Sequence, residues 1–190
     1  MKYVIKSLVD PKYDVYLDGE NLGMAIEQHV RCDNMLTVMD MKDLCLSGFD
    51  LKNIFLKQSD LERSDFSASN MEKANLNRCK ISHAKFDNSN MQSAILHRVN
   101  GSYASFCNIC ATGAFRNSWT YMTLFHANFT MVVLDEVDMT GSQLTNCSFV
   151  DASLKNAIFA FAEFTDCDFT GANLDGVIWH EAKVVNCRGI

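Results

Sequence analysis

Hydrophobic side chains in this chain recur at intervals of five. From residue 41 the series runs Met41, Leu46, Leu51, Leu56, Leu61, Phe66, Met71, Leu76, Ile81, Phe86, Met91, Leu96, Gly101 and Phe106, and only Gly101 interrupts it. From residue 119 it resumes as Trp119, Leu124, Phe129, Leu134, Met139, Leu144, Phe149, Leu154, Phe159, Phe164, Phe169, Leu174, Trp179 and Val184. Two residues before each member sits a small side chain: Ser64, Ser69, Ala74, Cys79 and Ala84 in the first tract, Ser142, Cys147, Ala152, Ala157 and Ala162 in the second. The remaining positions are mostly Asp, Asn, Ser, Thr, Lys and Gly. A helix places apolar residues at steps of three and four, and a strand at steps of two. A strict step of five would spiral around a helix and leave no single face, so neither element explains the pattern.

The pattern, A/S/C/V-x-L/F/M-x-x, resembles the pentapeptide-repeat family over about residues 35–188. That resemblance implies an all-β fold, a right-handed quadrilateral parallel β-helix. Each pentapeptide forms one side, four sides make a twenty-residue coil, and the large residue points to the axis. One side alone cannot bury its apolar residue, but stacked coils can, with backbones hydrogen-bonded at sheet spacing. Pro11, the only proline, lies outside the tract, as a ladder that needs every N–H requires. Under a twenty-residue coil Phe66, Phe86 and Phe106 share a column, as do Phe129, Phe149 and Phe169. Joining the two needs a step of 23, hence a three-residue insertion within 107–118. A two-residue deletion would also rejoin the pattern but would mix the columns, so the insertion is preferred. The expected organisation is a capping segment over 1–34 and a β-helix of about seven to eight coils over 35–190.

The ends of a solenoid expose an apolar cross-section. At the start, Tyr3-Val4-Ile5 and Val15-Tyr16-Leu17 read as short strands, Asp18-Gly19 as a turn, and Gly23 to Val30 as a short helix over the first coil. There the small column instead holds Met39, Leu44, Phe49 and Ile54. At the other end nothing helical follows the last repeats. Phe169, Leu174, Trp179 and Val184 are therefore expected to be buried by head-to-head homodimerisation.

Composition narrows the chemistry. The 190 residues are 48% hydrophobic, so the chain is not disordered, and no apolar run approaches a membrane span. Without an export signal the expected compartment is the cytoplasm. Eight cysteines include one pair at metal-ligand spacing, Cys107-x-x-Cys110, with no second pair and no nearby histidine, so no metal is expected. Cys147, Cys167 and Cys187 occupy the small column at steps of twenty and are expected to be reduced core thiols. His29, His83, His97, His126 and His180 lie in no nucleophile or metal motif, and there is no phosphate-binding loop. No enzymatic activity and no cofactor are expected.

Charge is unevenly distributed. Residues 1–123 balance 14 acids against 14 bases; the net charge of −6 resides in 124–190, with nine acids and three bases. Spread over about three coils, this is roughly one acid per 1.8 Å of rod, close to the roughly 1.7 Å per charge of duplex DNA. In contrast, Lys73, Arg78, Lys80, Lys85 and Arg98 make the middle coils locally basic. Direct nucleic-acid binding is not expected, because the net charge repels phosphate.

Two functional expectations follow. In the first, the chain is a structural or adaptor rod that binds a protein partner through its surface, and its acids keep it soluble. In the second, drawn from the resemblance to topoisomerase-protecting, quinolone-resistance-type members of the family, it is a DNA mimic. It would then bind DNA gyrase or topoisomerase IV through Asp135, Glu136, Asp138, Asp151, Glu163, Asp166, Asp168 and Asp175. The chain departs from that pattern in having only a three-residue bulge in place of long projecting loops, and no C-terminal helical dimerisation module.

Overall fold

The computed structural model describes residues 1–32, 34–111 and 118–190. Over the repeats the chain is a β-solenoid whose unit is a turn. In a typical unit the N–H of Ile54 bonds the carbonyl of Leu51 at 2.9 Å, closing a turn whose third residue, Asn53, is left-handed at φ 64°. The same conformation recurs two residues after central residues along the tract. Among the described residues, twenty-five non-glycine residues there have φ between 52° and 64°, including Asp43, Arg78, Asn88, Tyr103, Asn156 and Phe161. An L-residue in this region costs about 1–2 kcal/mol, a cost offset by the roughly 1.5–3 kcal/mol gained when the unit's large side chain leaves water.

Each unit is tied to the coils on either side. Leu51 N–H bonds Asn70 O at 2.8 Å, Asn53 N–H bonds Glu72 O at 2.8 Å, and Asn70 N–H bonds Phe49 O at 3.0 Å. Parallel bridges fall in four columns. One runs Asp40, Asp60, Lys80 and Asn100 in steps of twenty, then moves by 23 to Thr123 and continues through Gln143, Glu163 and Lys183 in steps of twenty. Ser105↔Asn128 and Cys110↔Val133 are also 23 apart, while Ser118↔Asp138 is again 20. The expected insertion within 107–118 falls mainly on 112–117, which lie outside the described residues.

Four sides can be named from their central residues: a first (Met41, Leu61, Ile81, Gly101, Leu124), a second (Leu46, Phe66, Phe86), a third (Leu51, Met71, Met91) and a fourth (Leu56, Leu76, Leu96). The axis is filled from all four, and its most regular column is on the second side. There Phe66, Phe86, Phe106, Phe129, Phe149 and Phe169 stack at centroid distances of 4.7–5.3 Å with their planes within 7°. Trp119, fully buried, leans against Phe106 and Phe129 where the register changes.

Small inward residues do more than leave room. Ser59 Oγ donates to Leu36 O and accepts from Met39 N–H, both at 3.0 Å; Ser142 Oγ likewise joins Trp119 O and Met122 N–H at 3.1 Å. Cysteine can take the same place: Cys79 Sγ lies 2.9 Å from Leu56 O, and burial pushes this thiol up to about 12. Cys147, Cys167 and Cys187 are free thiols in one column, each pointing at a carbonyl of the preceding coil.

The first side changes character along the rod. Ser64 and Ala84 close turns on Leu61 and Ile81 there, as on the other sides. From residue 100 the side is extended instead, and five strands pair in parallel across four successive turns: β4 (Asn100–Ser102), β5 (Thr123–Phe125), β6 (Gln143–Thr145), β7 (Glu163–Thr165) and β8 (Lys183–Val185). Gly101 sits at the switch. A Cβ there would come within 2.9 Å of Ile81 Cγ1 and 3.0 Å of the Ile81 carbonyl carbon, so a side chain would push the strand away from the coil before it.

The first 32 residues form a small unit against the first coil. Strand β1 (Lys2–Ser7) pairs antiparallel with β2 (Val15–Asp18) on one edge and with β3 (Met39–Asp40), the opening of the repeat tract, on the other. Helix α1 (Leu22–Arg31) starts at Asn21, whose side chain accepts from Met24 N–H at 2.9 Å, and buries Ala25, Ile26 and Val30. Gly23 faces Phe49 so closely that a Cβ would fall 2.1 Å from the ring, which explains the large residue in that small-column position. Among the described residues no helix is long and apolar enough to cross a membrane.

Candidate binding surfaces

Three surfaces are candidates for binding: the acidic coils, the C-terminal end and the first side of the middle coils. Repeat register distributes the eight acids over all four sides. Asp135, Glu136 and Asp175 project from the third side, Asp138 from the fourth, Glu163 and Asp166 from the first, and Asp151 and Asp168 from the second. Lys155 separates Asp135 from Asp175 on the third side, and its N–H bonds Asp135 at 3.1 Å. Several of the acids already have partners. Glu163 pairs with Lys183 at 2.5 Å and Asp168 with Arg188 at 2.9 Å; Asp135 accepts from Ser153 Oγ at 2.6 Å and Asp138 from Thr140 N–H at 2.9 Å. Hydrogen bonds with Thr170, then Arg188, hold the Asp168 carboxyl below its ordinary range.

At the C-terminal end the four residues of the expected dimer surface stand at different depths. Phe169 is fully buried in the aromatic stack, Leu174 and Trp179 are half-buried, and Val184 is 42% exposed. Val185 and Ile190 add exposed apolar surface nearby.

The third surface escaped the reading of the sequence. Residues 78, 98 and 121 occupy equivalent corners of successive coils on one edge of the first side, and residues 83, 103 and 126 do so on the other. On the latter edge His83, Tyr103 and His126 stack as a ladder, at 5.1 Å and 13° and then 4.8 Å and 6°. Tyr121 continues the Arg78–Arg98 column and meets His97 edge-on at 5.6 Å. Tyr103, Tyr121 and Phe125 are each about half exposed. Burial, then the charges of Arg98 and Arg78, holds His97 below the ordinary imidazole range, while its Nδ1 contacts Thr120 Oγ1 at 2.8 Å. The signal was present in the sequence: aromatic and basic residues recur at steps of 20 and 23 in an outward position. The central and small columns drew attention away from it. Among the described residues, His, Cys, Asp and Glu form no group of three or more suited to a metal ion.

Twenty-residue coils, four bridge columns and a left-handed corner two residues beyond each large residue define a solenoid built from five-residue units. The pentapeptide-repeat family model matches residues 45–82, 124–160 and 147–178 in eight copies, and the chain belongs to this family. No curated protein matches it in sequence. Solved structures with a similar course include full-length QnrB1, a plasmid-mediated fluoroquinolone resistance protein (22% identity, 75% of this chain and 80% of that one, TM-score 0.34). Others are HetL, a pentapeptide repeat protein involved in heterocyst differentiation regulation in the cyanobacterium Nostoc sp. strain PCC 7120 (18%, 87% and 95%, 0.27), and a pentapeptide repeat protein of the Arabidopsis thaliana thylakoid lumen (18%, 82% and 72%, 0.29). At these identities and scores they carry no argument about function.

Proposed function

We propose that this chain is a non-enzymatic rod of seven to eight coils, started by a cap over 1–34, that binds a protein partner through its outward side chains. The observation that supports this most is the exposure of large apolar residues on an otherwise polar surface. Tyr103, Tyr121, Phe125, Met131 and Phe161 are each 45–55% exposed, although the repeat needs none of them for its core. In this reading the C-terminal end around Leu174, Trp179 and Val184 is covered by a second copy, and the acids of the last coils maintain solubility. The DNA-mimic reading draws on the family resemblance and on acid density, and the dispersal of its eight residues over four sides favours the adaptor.

The test is affinity capture with quantitative mass spectrometry, comparing the native chain with a Tyr103→Ser/Phe125→Ser/Phe161→Ser variant of unchanged melting temperature. The reading predicts a stoichiometric protein partner retained by the first and lost by the second. Inhibition of purified gyrase by the native chain, weakened in an Asp135→Asn/Glu136→Gln/Asp138→Asn variant, would overturn it in favour of the mimic.

A further inference from the structure

Several bases of the rod are neutralised along the column. Arg63 pairs with Asp43 at 2.5 Å, Lys52 with Glu72 at 2.8 Å and Lys183 with Glu163 at 2.5 Å, each across one coil. Arg78 and Arg98, like Lys57, Lys85 and Lys155, lack such a pair among the described residues, and of these five they alone share a column. They stand at equivalent corners of adjacent coils, both exposed, and neither makes an ion pair among the described residues. Their backbone corners lie one coil apart, about 5 Å, so one anionic group can reach both guanidinium groups and relieve their mutual repulsion.

The surface beside them is shaped to receive a chain. Gly101 is the only central residue between Met41 and Phe169 that is not buried among the described ones. Here the backbone is drawn tightly against Ile81 on its inner face, and Ser82, Asn100 and Ser102 form the outward shelf between the two edges of the side. Across the shelf stands the His83–Tyr103–His126 ladder, with Phe125 on its floor. Because the ladder's rings lie face to face, they present their edges outward, and the edge of an aromatic ring is its electropositive part.

We propose that the shelf between the Arg78–Arg98 column and the His83–Tyr103–His126 ladder docks an acidic extended segment of a partner protein, with paired carboxylates on the arginines and an apolar side chain against Phe125 and Tyr121. The proposal rests on the protein-binding reading above and assigns it a place and a partner chemistry. Arginine forks match carboxylates two bonds at a time, and ring edges favour the same oxygens. A nucleic-acid strand fits less well: bases stack on ring faces, which the ladder spends on itself.

The experiment measures fluorescence anisotropy of a short labelled peptide, glutamates and aspartates around one central phenylalanine, titrated with the full chain. An all-acidic peptide and a thymidine oligonucleotide serve as comparison probes. Binding of the phenylalanine peptide should weaken at least about tenfold in an Arg78→Gln/Arg98→Gln variant and remain unchanged in a Lys57→Gln/Lys155→Gln variant. Phe125→Ser should weaken it while sparing the all-acidic peptide. Unchanged melting temperatures confirm that all three variants fold. The proposal is overturned by absence of peptide binding, by binding indifferent to Arg78 and Arg98, or by tighter binding of the oligonucleotide that the arginine variant abolishes. The broader reading is judged separately. If the cellular partner is still captured by the Arg78→Gln/Arg98→Gln chain, only the shelf is wrong; if the native chain captures no partner, the adaptor itself is wrong.

Discussion

The two ends of the solenoid are finished differently. At the start, β1 pairs with β3, α1 covers Phe49, and Leu36, Met41 and Leu46 are all fully buried. At the finish, the central residues of the last coil emerge stepwise, from half-buried Leu174 and Trp179 to Val184 at 42% exposure. The repeat is the same at both ends, so the difference lies in what adjoins it. A unit that satisfies its hydrogen bonds through its neighbours needs a neighbour on each side, and the first coil finds one in β1 and α1.

The comparison can be tested by substitutions of decreasing effect. Phe149→Ala, a fully buried ring stacked on both faces, should cost about 3–5 kcal/mol by urea denaturation; a smaller cost would show that the column collapses around the void. Gly23→Leu should drive α1 off Phe49 and cost about 1–3 kcal/mol. Hydrogen exchange should then rise in residues 1–60 while the last coils keep their protection. Trp179→Ala, at the open end, should cost only about 1–2 kcal/mol in dilute solution. A larger loss that grows with protein concentration, together with a fall in sedimentation coefficient, would show a second copy seated there. Arg63→Gln breaks an exposed pair with Asp43 and should leave the melting temperature unmoved.

The axis of this fold was legible because it is written twice, in a large and a small column that agree at each repeat. The short elements of the first 32 residues were also legible, from Tyr3-Val4-Ile5, Val15-Tyr16-Leu17 and the run to Val30; each extends by only a residue or two. Three features were not. The left-handed corners admit Arg, Tyr, Phe and Met as well as Asn and Asp, since coil packing overrides local preference. The change of the first side from turns to strands depends on how closely two coils approach at Gly101, a distance that spacing alone does not encode. The aromatic ladder and the arginine pair become visible only when outward positions are aligned on the coil, because they are 20 and 23 residues apart and have no local signature. For the acids the opposite holds: they are conspicuous as a total, and coil register distributes them over four sides.

The direction of the backbone hydrogen bonds has a mechanical consequence. Links such as Leu51 N–H to Asn70 O, Asp60 N–H to Met39 O and Phe149 N–H to Asp168 O join one coil to the next and therefore lie along the rod rather than across it. Tension applied between the ends loads these rungs in series, so the rod peels one coil at a time instead of shearing a whole ladder at once. Failure should begin where the last coil has a neighbour on only one side, near Val184, and travel toward the helix-covered start. A single molecule stretched in an optical trap would then lengthen in steps of about twenty residues at low force, making the solenoid stiff under bending and compression but compliant under pull.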